Sequence, residues 1–536
     1  MQGEIHAVEL VFLLLLLFVV LFGALARKLA TPYPIVLVVG GLLLSFIPGI
    51  PKISLNPDVI FLVILPPLLY SAAWLTSWRE FSYNIVSILL LAFGLVTFTV
   101  VAVTEAGQWL LPGFDWRVGL VLGAVVAPTD AIAASAIAKR IGLPKRIVDI
   151  LEGESLINDA SALLALEFGI ALLVGGRTPT FGMGLLRLLY LTAAGIGIGL
   201  LIGEIVHLIE HRIDDAPIEI ALSILTPYVA YLAADSVRAS GVLAVVACGL
   251  YLSRKSSHFF SANVRRQAWA VWDSLTFILN GLVFVLIGLQ LPYVLGEIRN
   301  HSLGALIAYG AIFSALLILL RLIWTFPGAH LANFIRRRVF HQNERMPGVR
   351  QIFVVGWTGM RGVISLAAAI APPQTLANGS PFAQRNMIIF LAFSVILVTL
   401  VLQGLTLPPL IRALGLAGTA EAPPEEQEAR RAILEAALAY LEKARDGGGA
   451  DSAEVYADLV QHYHHRLEVL GRKGSTEVAG SRNFYKRFID VSREALRVQR
   501  RTAVQLRNQG HISDELLRDL ERELDLDEAR LLTKHA

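Results

Sequence analysis

Cysteine is almost absent from this chain. The one cysteine among 536 residues, Cys248, lies in an apolar stretch, so the sequence contains no disulfide framework and leaves the redox compartment open. The first apolar run ends at Arg27-Lys28, and we interpret it as a retained membrane span and not a signal peptide. No nucleotide-binding motif is found, and we expect a protein that is not an enzyme and requires no cofactor.

Charged residues are scarce in the first 418 positions. These positions hold 27 Lys and Arg and 21 Asp and Glu, whereas the last 118 positions hold 19 and 22. Hydrophobic residues make up 55% of the chain and the mean hydropathy is +0.62, which predicts a domain in the lipid bilayer over residues 1–415. Residues 419–536 are predicted to form a cytoplasmic tail with helices near 425–445, 451–471, 481–508 and 512–533. Its role is predicted to be regulatory and its partner is unknown. The net charge of +3 says little about partners, and we expect no nucleic-acid partner.

Apolar runs of spanning length recur through the first domain. They predict an all-α fold with about thirteen transmembrane helices, near residues 7–26, 33–49, 57–76, 84–104, 116–138, 147–173, 183–209, 217–235, 240–253, 267–291, 302–330, 350–373 and 383–410. Basic residues of the predicted loops number eighteen on one side and seven on the other. By the positive-inside rule, this asymmetry predicts an outer N-terminus and a cytoplasmic C-terminus.

Two of the predicted spans are interrupted near their middle. In the fifth, Pro128 removes a backbone donor and disfavours a helical conformation for the preceding residue. In the twelfth, three glycines fall within residues 356–362. Paired interrupted helices in corresponding halves indicate the binding site of a transporter. Spans 4–6 and 11–13 are therefore predicted to form two inverted repeats, each with a broken middle helix, and the two broken helices are predicted to cross.

The sixth span carries the strongest chemical signal. Residues 152–159 read Glu-Gly-Glu-Ser-Leu-Ile-Asn-Asp, which places three carboxylates within an apolar run. Helical spacing puts Glu154 beneath Asn158, and Ser155 beneath Asp159, on adjacent stripes. Ionisable residues inside a membrane face a bundle interior or a water-filled cavity, and oxygen ligands suit a hard cation. We therefore predict a site at which a cation and a proton compete for Asp159.

Two arginines lie deep in apolar runs and need partners there. Arg321 is the favoured partner of Glu154, because two neighbouring ionised acids repel and a buried guanidinium must be paired. Arg361 lies at the second break, where it either pairs with the acid or braces the broken helix. At the first break, the Thr129 hydroxyl is a candidate cation ligand, and Asp130 either joins it or caps the second half-helix. Structural pairing is predicted for three other acids in apolar runs, Glu152, Glu167 and Glu204.

These stretches resemble the motifs of a known family. Residues 153–160, Gly-Glu-Ser-Leu-Ile-Asn-Asp-Ala, are similar to the signature of the sodium/proton exchangers in the first branch of the cation/proton antiporters. Residues 61–67 resemble the third-span motif of that family, residues 127–130 its Thr-Asp-Pro break, and residues 359–362 its Gly-Leu-Arg-Gly stretch. The likeness covers about residues 7–415 and not the tail. Ala131 stands where the animal members have proline, a departure that bears on ion preference.

The resemblance implies a bacterial-type exchanger of the inner membrane. It implies a homodimer in which a six-helix core moves against a dimer scaffold, and the Asn158-Asp159 pair implies electroneutral exchange of one cation per proton. It also implies an ion pair between Glu154 and Arg321 that is stabilised by Asn158. Arg361 and Pro128 then support the broken helices.

The same resemblance assigns the ion ligands. Asp159 is expected to carry either the cation or the proton, and the Ser155 side chain and the Thr129 backbone are expected to complete the cation site. Asp130 and Glu154 are expected to act nearby or through water.

The favoured substrate is Na⁺, with Li⁺ or K⁺ as alternatives, including an antiporter that prefers K⁺. A passive cation channel would need a continuous polar pore, whereas the polar residues cluster at mid-depth. A Na⁺-coupled solute symporter on a similar fold is a further alternative, which the acidic site disfavours for an anionic solute. A fourth alternative is that the tail makes this chain chiefly a scaffold or a sensor.

Overall fold

The computed structural model describes most of the chain. The described residues are 2–29, 31–47, 57–175, 181–213, 215–259, 261–291, 294, 296, 298, 302–342, 346–376, 379–418, 424–447, 459–461, 463–464, 467, 478–509, 511, 516–517, 520 and 523–528. Within them the regular structure is helical, and the only β-type pairing is an isolated bridge between Thr375 and Pro381.

The helices are numbered here in chain order. They are α1 (Gln2–Lys28), α2 (Tyr33–Leu44), α3 (Pro57–Val59, continuing through Ile60–Ile64 into Leu65–Leu75), α4 (Trp78–Tyr83), α5 (Ile85–Leu110), α6 (Trp116–Val126), α7 (Ala131–Ile141), α8 (Lys145–Gly175), α9 (Phe181–Glu210), α10 (Ala216–Ser236), α11 (Gly241–Phe259), α12 (Ala262–Leu289), α13 (Leu303–Val339), α14 (Val349–Trp357), α15 (Val363–Ile370), α16 (Arg385–Ala413), α17 (Pro424–Gly447) and α18 (Val478–Asn508).

The described part of the first domain has the helices of a polytopic membrane protein. Nine of its helical segments are long and apolar enough to cross a membrane, counting α6 and α7 together, and α2 and Ile60–Leu75 are shorter apolar helices. The all-α membrane fold is as predicted, whereas the count of thirteen spans stays a prediction. Orientation also stays a prediction, because four of the basic residues behind it lie outside the described residues: Lys52, Arg177, Arg299 and Arg345.

The first predicted break separates α6 from α7. Residues 127–130 are not helical, as expected for a segment in which Pro128 has no amide hydrogen. The Asp130 carboxylate accepts the N–H of Ile132 at 2.8 Å and so caps α7. At the other end, α7 stops at Gly142, whose positive φ of 73° is readily adopted only by glycine.

The second predicted break separates α14 from α15 and crosses the first. Residues 358–362 are unwound, and the carbonyl oxygen of Met360 accepts the N–H of Asp130 at 2.8 Å. Gly362 faces Asp130 so closely that a Cβ atom there would collide with the carboxylate. Unwound backbone at this depth needs protein partners, and each break supplies some of them to the other.

Two long helices flank the crossing. Helix α8 packs against α6 and α7, and α16 packs against α13, α15 and α7. Away from the crossing, α2 and α12 approach closely at Gly41 and Gly288, where a side chain would strike the opposite backbone. The sixth predicted span, α8, is therefore held next to both broken helices.

The chain separates into two compact units, Met1–Thr419 and Ala420–Ala536. In the second unit, α17 and α18 correspond to the first and third helices predicted for the tail. Within that unit Arg500 contacts Asp525 at 2.5 Å and Glu528 at 3.1 Å. The tail helices predicted near residues 451–471 and 512–533 fall largely outside the described residues.

Candidate ion-binding site

Asp159 lies in the middle of α8, beside the crossing. Its side chain is 5% exposed, and within the described residues no hydrogen bond reaches its carboxylate. The acids within electrostatic reach are Asp130 and Glu154. A nearly buried carboxylate without protein donors is suited to accept a proton or a cation.

Glu154 and Arg321 form a fully buried ion pair. Both Nη atoms of Arg321 donate to the two carboxylate oxygens of Glu154, at 2.5 and 2.8 Å, and each residue is 1% exposed. The Nε atom of Arg321 donates to the Val355 carbonyl at 3.2 Å. The bidentate geometry satisfies the guanidinium and fixes the end of α14 next to α8. Of the two buried arginines, Arg321 is thus the one paired with Glu154.

Thr129 links this ion pair to the first break. Its hydroxyl donates to Glu154 at 3.0 Å and accepts from the Asn158 amide at 2.7 Å. The same amide donates to the Thr129 carbonyl at 3.2 Å, while Asn158 Oδ1 has no partner within the described residues. The Thr129 hydroxyl is therefore engaged in holding the ion pair, and its carbonyl retains one lone pair for a cation.

Ser155 and Asp130 both accept N–H groups at the start of α7, next to the first break. The Ser155 hydroxyl, one helical turn before Asp159, accepts the N–H of Ala131 at 3.3 Å. Asp130 caps α7 through one carboxylate oxygen and is also within electrostatic reach of Asp159. The sequence left two roles for Asp130 as alternatives. In the structure Asp130 both caps α7 and lies near Asp159.

Arg361 braces the two broken helices. Its Nη1 atom donates to the Ala127 carbonyl of the first break. Its backbone N–H donates to the Thr399 hydroxyl on α16 at 3.1 Å. Sequence reasoning missed Thr399, because a lone threonine in an apolar span gives no signal of its partner.

A cavity of about 800 Å³ lies beside α7, the second half of the first broken helix. It lies between α1, α2 and α12 on one side and α7 and α16 on the other. Tyr33 lines it and is close to Asn280 and within electrostatic reach of Asp130. Neither Tyr33 nor Asn280 was a sequence candidate. The charged residues of the lining are Arg27, Arg140, Arg412 and Asp273.

The three acids for which structural pairing was predicted each have a partner away from the crossing. Glu152 pairs with Lys139 at 2.7 Å, and Glu167 pairs with Arg187 at 3.2 Å on the protein surface. The Tyr251 hydroxyl donates to Glu204. Each of these three carboxylates thus has a protein partner, and none of them needs to be part of the ion site.

Replacing Gly362 with Ala tests the close approach of the two breaks. The added Cβ atom displaces the Asp130 carboxylate, so we expect a reduction of transport by about tenfold or more. The measurement is the transport rate per folded protein in proteoliposomes, together with the thermal unfolding temperature. Gly197→Ala, in open space on α9, is the matched control and should keep the wild-type rate. Equal rates in the two variants would contradict the role given to this contact.

Comparison with known proteins relates the chain to one family. The family model described as sodium/hydrogen exchanger, transmembrane, matches residues 13–413. An uncharacterised Na⁺/H⁺ exchanger of Mycobacterium tuberculosis is 37% identical over 515 residues, which cover 93% of this chain and 92% of that protein. A sodium, potassium, lithium and rubidium/H⁺ antiporter of Bacillus pumilus is 34% identical over 456 residues, covering 82% and 66%.

A solved structure has the same fold. The sodium proton antiporter MjNhaP1 of Methanocaldococcus jannaschii superposes with a TM-score of 0.57 at 20% identity, over 78% of this chain and 100% of that one. At this identity the likeness concerns the fold alone.

Proposed function

The chain belongs to the sodium/hydrogen exchanger family, and on that premise we propose that it exchanges a monovalent cation for a proton at Asp159. Members of this family are integral membrane transporters and not enzymes. The observation that carries the proposal is the Asp159 carboxylate, which is nearly buried, lies within electrostatic reach of Asp130 in the first break and has no hydrogen-bond donor in the described residues. Such a group is stabilised by either a proton or a cation, but not by both together.

The cation ligands in this proposal come from α8 and the first break. The Asp159 carboxylate is the charged ligand, and Ser155 on the same stripe and the free lone pair of the Thr129 carbonyl are neutral ones. Asp130 acts at the edge of the site. Glu154 does not ligate directly, because Arg321 occupies both of its oxygens.

The buried charges of the crossing support electroneutral exchange. Four buried charged residues and the half-buried Asp130 meet there, which gives a formal net charge of −1: Arg321, Arg361, Glu154, Asp159 and Asp130. One proton or one monovalent cation at Asp159 brings this charge to zero. With either ion bound, the helices of the crossing move through the low-dielectric part of the membrane without net charge. With neither ion bound, they carry an uncompensated negative charge.

Alternating access completes the mechanism. Asp159 releases its proton to one side, binds the cation, and the loaded helices around the crossing move relative to α1, α2 and α12. The cavity between these groups supports a state open toward the side of Arg140 and Arg412. That side is the cytoplasm if the predicted orientation holds. We further propose a homodimer in the bacterial inner membrane and a regulatory role for the tail.

Na⁺ is the proposed substrate, and Li⁺ and K⁺ are the alternatives to test. The test is cation-dependent dequenching of a pH-sensitive dye in proteoliposomes, titrated separately with Na⁺, K⁺ and Li⁺. We expect saturable proton movement with Na⁺, and an apparent KM that increases as the pH is lowered, because proton and cation compete for one carboxylate. Movement that requires K⁺ and not Na⁺ would favour the K⁺-preferring alternative. No proton movement with any of the three cations would refute the proposal.

Electroneutrality has its own expected result. The exchange rate should be the same with the membrane potential clamped at zero and at about −100 mV, a step that shifts the energy of one transferred charge by about 2.3 kcal/mol. A rate that changes with the potential would show that net charge moves in each cycle.

A further inference from the structure

Gln403 is a buried amide without a protein partner. It lies on α16, at the end of the π-helical turn Thr399–Gln403, and is 0% exposed. Within the described residues, neither its Oε1 nor its Nε2 atom forms a hydrogen bond. Buried polar groups in folded proteins are almost always satisfied by protein or by ordered water. We therefore expect the amide to have a partner other than the protein atoms of the described residues.

The position of Gln403 in the second repeat matches that of Asp159 in the first. On α8, the Ser155 hydroxyl accepts a backbone N–H of the first break at 3.3 Å. On α16, the Thr399 hydroxyl accepts a backbone N–H of the second break at 3.1 Å. Four residues later, on the same stripe of each helix, lie Asp159 and Gln403. The two repeats thus share a polar framework, with a charged residue in one and a neutral residue in the other.

The surroundings of Gln403 favour water over a cation. A Cβ atom on Gly359 would lie 3.7 Å from Gln403 Nε2 and 2.5 Å from Arg321 Cδ, which places the amide next to the second break and close to this arginine. Arg361, in the same break, has a buried Nε atom without a partner. The charge of Arg361 repels a cation, whereas the amide of Gln403 and the Nε–H group of Arg361 suit a water molecule.

We propose that Gln403 binds an internal water molecule that bridges its amide to the unwound residues 358–362. This makes Gln403 a positioning residue for the ion site, an inference that rests on the proposed function. Within the unwound segment, the Met360 carbonyl holds the N–H of Asp130, and Gly362 faces the carboxylate of Asp130. A shift of this segment therefore shifts Asp130 relative to Asp159.

The first experiment compares Gln403→Met, which is similar in length and apolar, with Gln403→Asn, which keeps the amide. In proteoliposomes we expect Q403M to raise the apparent KM for Na⁺ about tenfold while Vmax changes by less than about twofold. We expect Q403N to restore the KM to within about twofold of wild type. Gln290→Met is the matched control, because Gln290 is a 4%-exposed glutamine at the end of α12. It should affect thermal stability and leave the KM unchanged. An unchanged KM in Q403M overturns the positioning role.

The second experiment detects the water itself and does not depend on transport. X-ray radiolysis converts bound water to hydroxyl radicals that oxidise adjacent side chains, and Met360 is a 0%-exposed methionine beside Gly404. We expect oxidation of Met360 in the wild-type protein and a several-fold slower reaction in Q403M. Equal oxidation rates of Met360 in the two proteins would show that Gln403 does not bind a water molecule.

The two experiments separate this inference from the proposed function. A wild-type protein without exchange activity refutes the function, while the labelling of Met360 still decides whether water is bound. If exchange by the wild-type protein required chloride and exchange by Q403M did not, Gln403 would bind an anion. The proposed water molecule would then be refuted.

Discussion

Asp159→Asn is expected to reduce cation-driven proton movement to the level of protein-free vesicles. The amide neither takes up a proton near neutral pH nor offers the charge that binds a cation. The crossing then has a fixed formal charge of zero, so its helices can move without carrying either ion. Dye dequenching with Na⁺ on one side measures the loss, and the thermal unfolding temperature of the variant shows that it is folded.

Glu167→Gln is the matched control for this result. Glu167 lies on the same helix as Asp159, but it is exposed and pairs with Arg187 at the surface. Its variant should exchange at the wild-type rate. If D159N retained exchange, or if E167Q lost it as completely, Asp159 would not be the carrier.

Glu154→Gln is expected to destabilise the protein by about 3–5 kcal/mol, because it leaves the Arg321 charge buried and without its carboxylate. The double variant Glu154→Gln, Arg321→Met removes both charges and should be markedly more stable than either single variant. The measurement is the free energy of unfolding of the wild type, both single variants and the double variant, treated as a double-mutant cycle.

Glu152→Gln provides the comparison for this cycle. Glu152 lies on the same helix as Glu154 and pairs with Lys139 of α7. The lysine is 63% exposed, so loss of this pair should cost about 1 kcal/mol or less. Additive losses in the Glu154 and Arg321 cycle would show that the two residues do not act as a pair.

The sequence predicted the parts of the site whose signals are local. Pro128 and the cluster of glycines around residue 359 predicted the two breaks, because each residue type alters the backbone where it stands. The spacing of Glu154, Ser155, Asn158 and Asp159 predicted a common face, since helical periodicity is fixed over a few residues.

The remaining contacts join residues far apart in sequence. Tyr33 and Asn280 come from different helices, and the Met360 group that holds Asp130 is a backbone carbonyl, which every residue possesses. For the same reason the sequence left the partner of Arg361 open. Its contact with Ala127 depends on how the two broken helices cross, which hydropathy and periodicity do not specify.

The separation of Glu154 from its partner has a consequence for how the protein is made. The carboxylate is synthesised 167 residues before the guanidinium that pairs with it. During membrane insertion, α8 is therefore synthesised before α13 can supply the pairing charge. Until then we expect its acids to be protonated or α8 to remain in contact with the insertion machinery. A nascent chain halted shortly after α8 should leave this helix accessible from the aqueous side, and one halted after α13 should not.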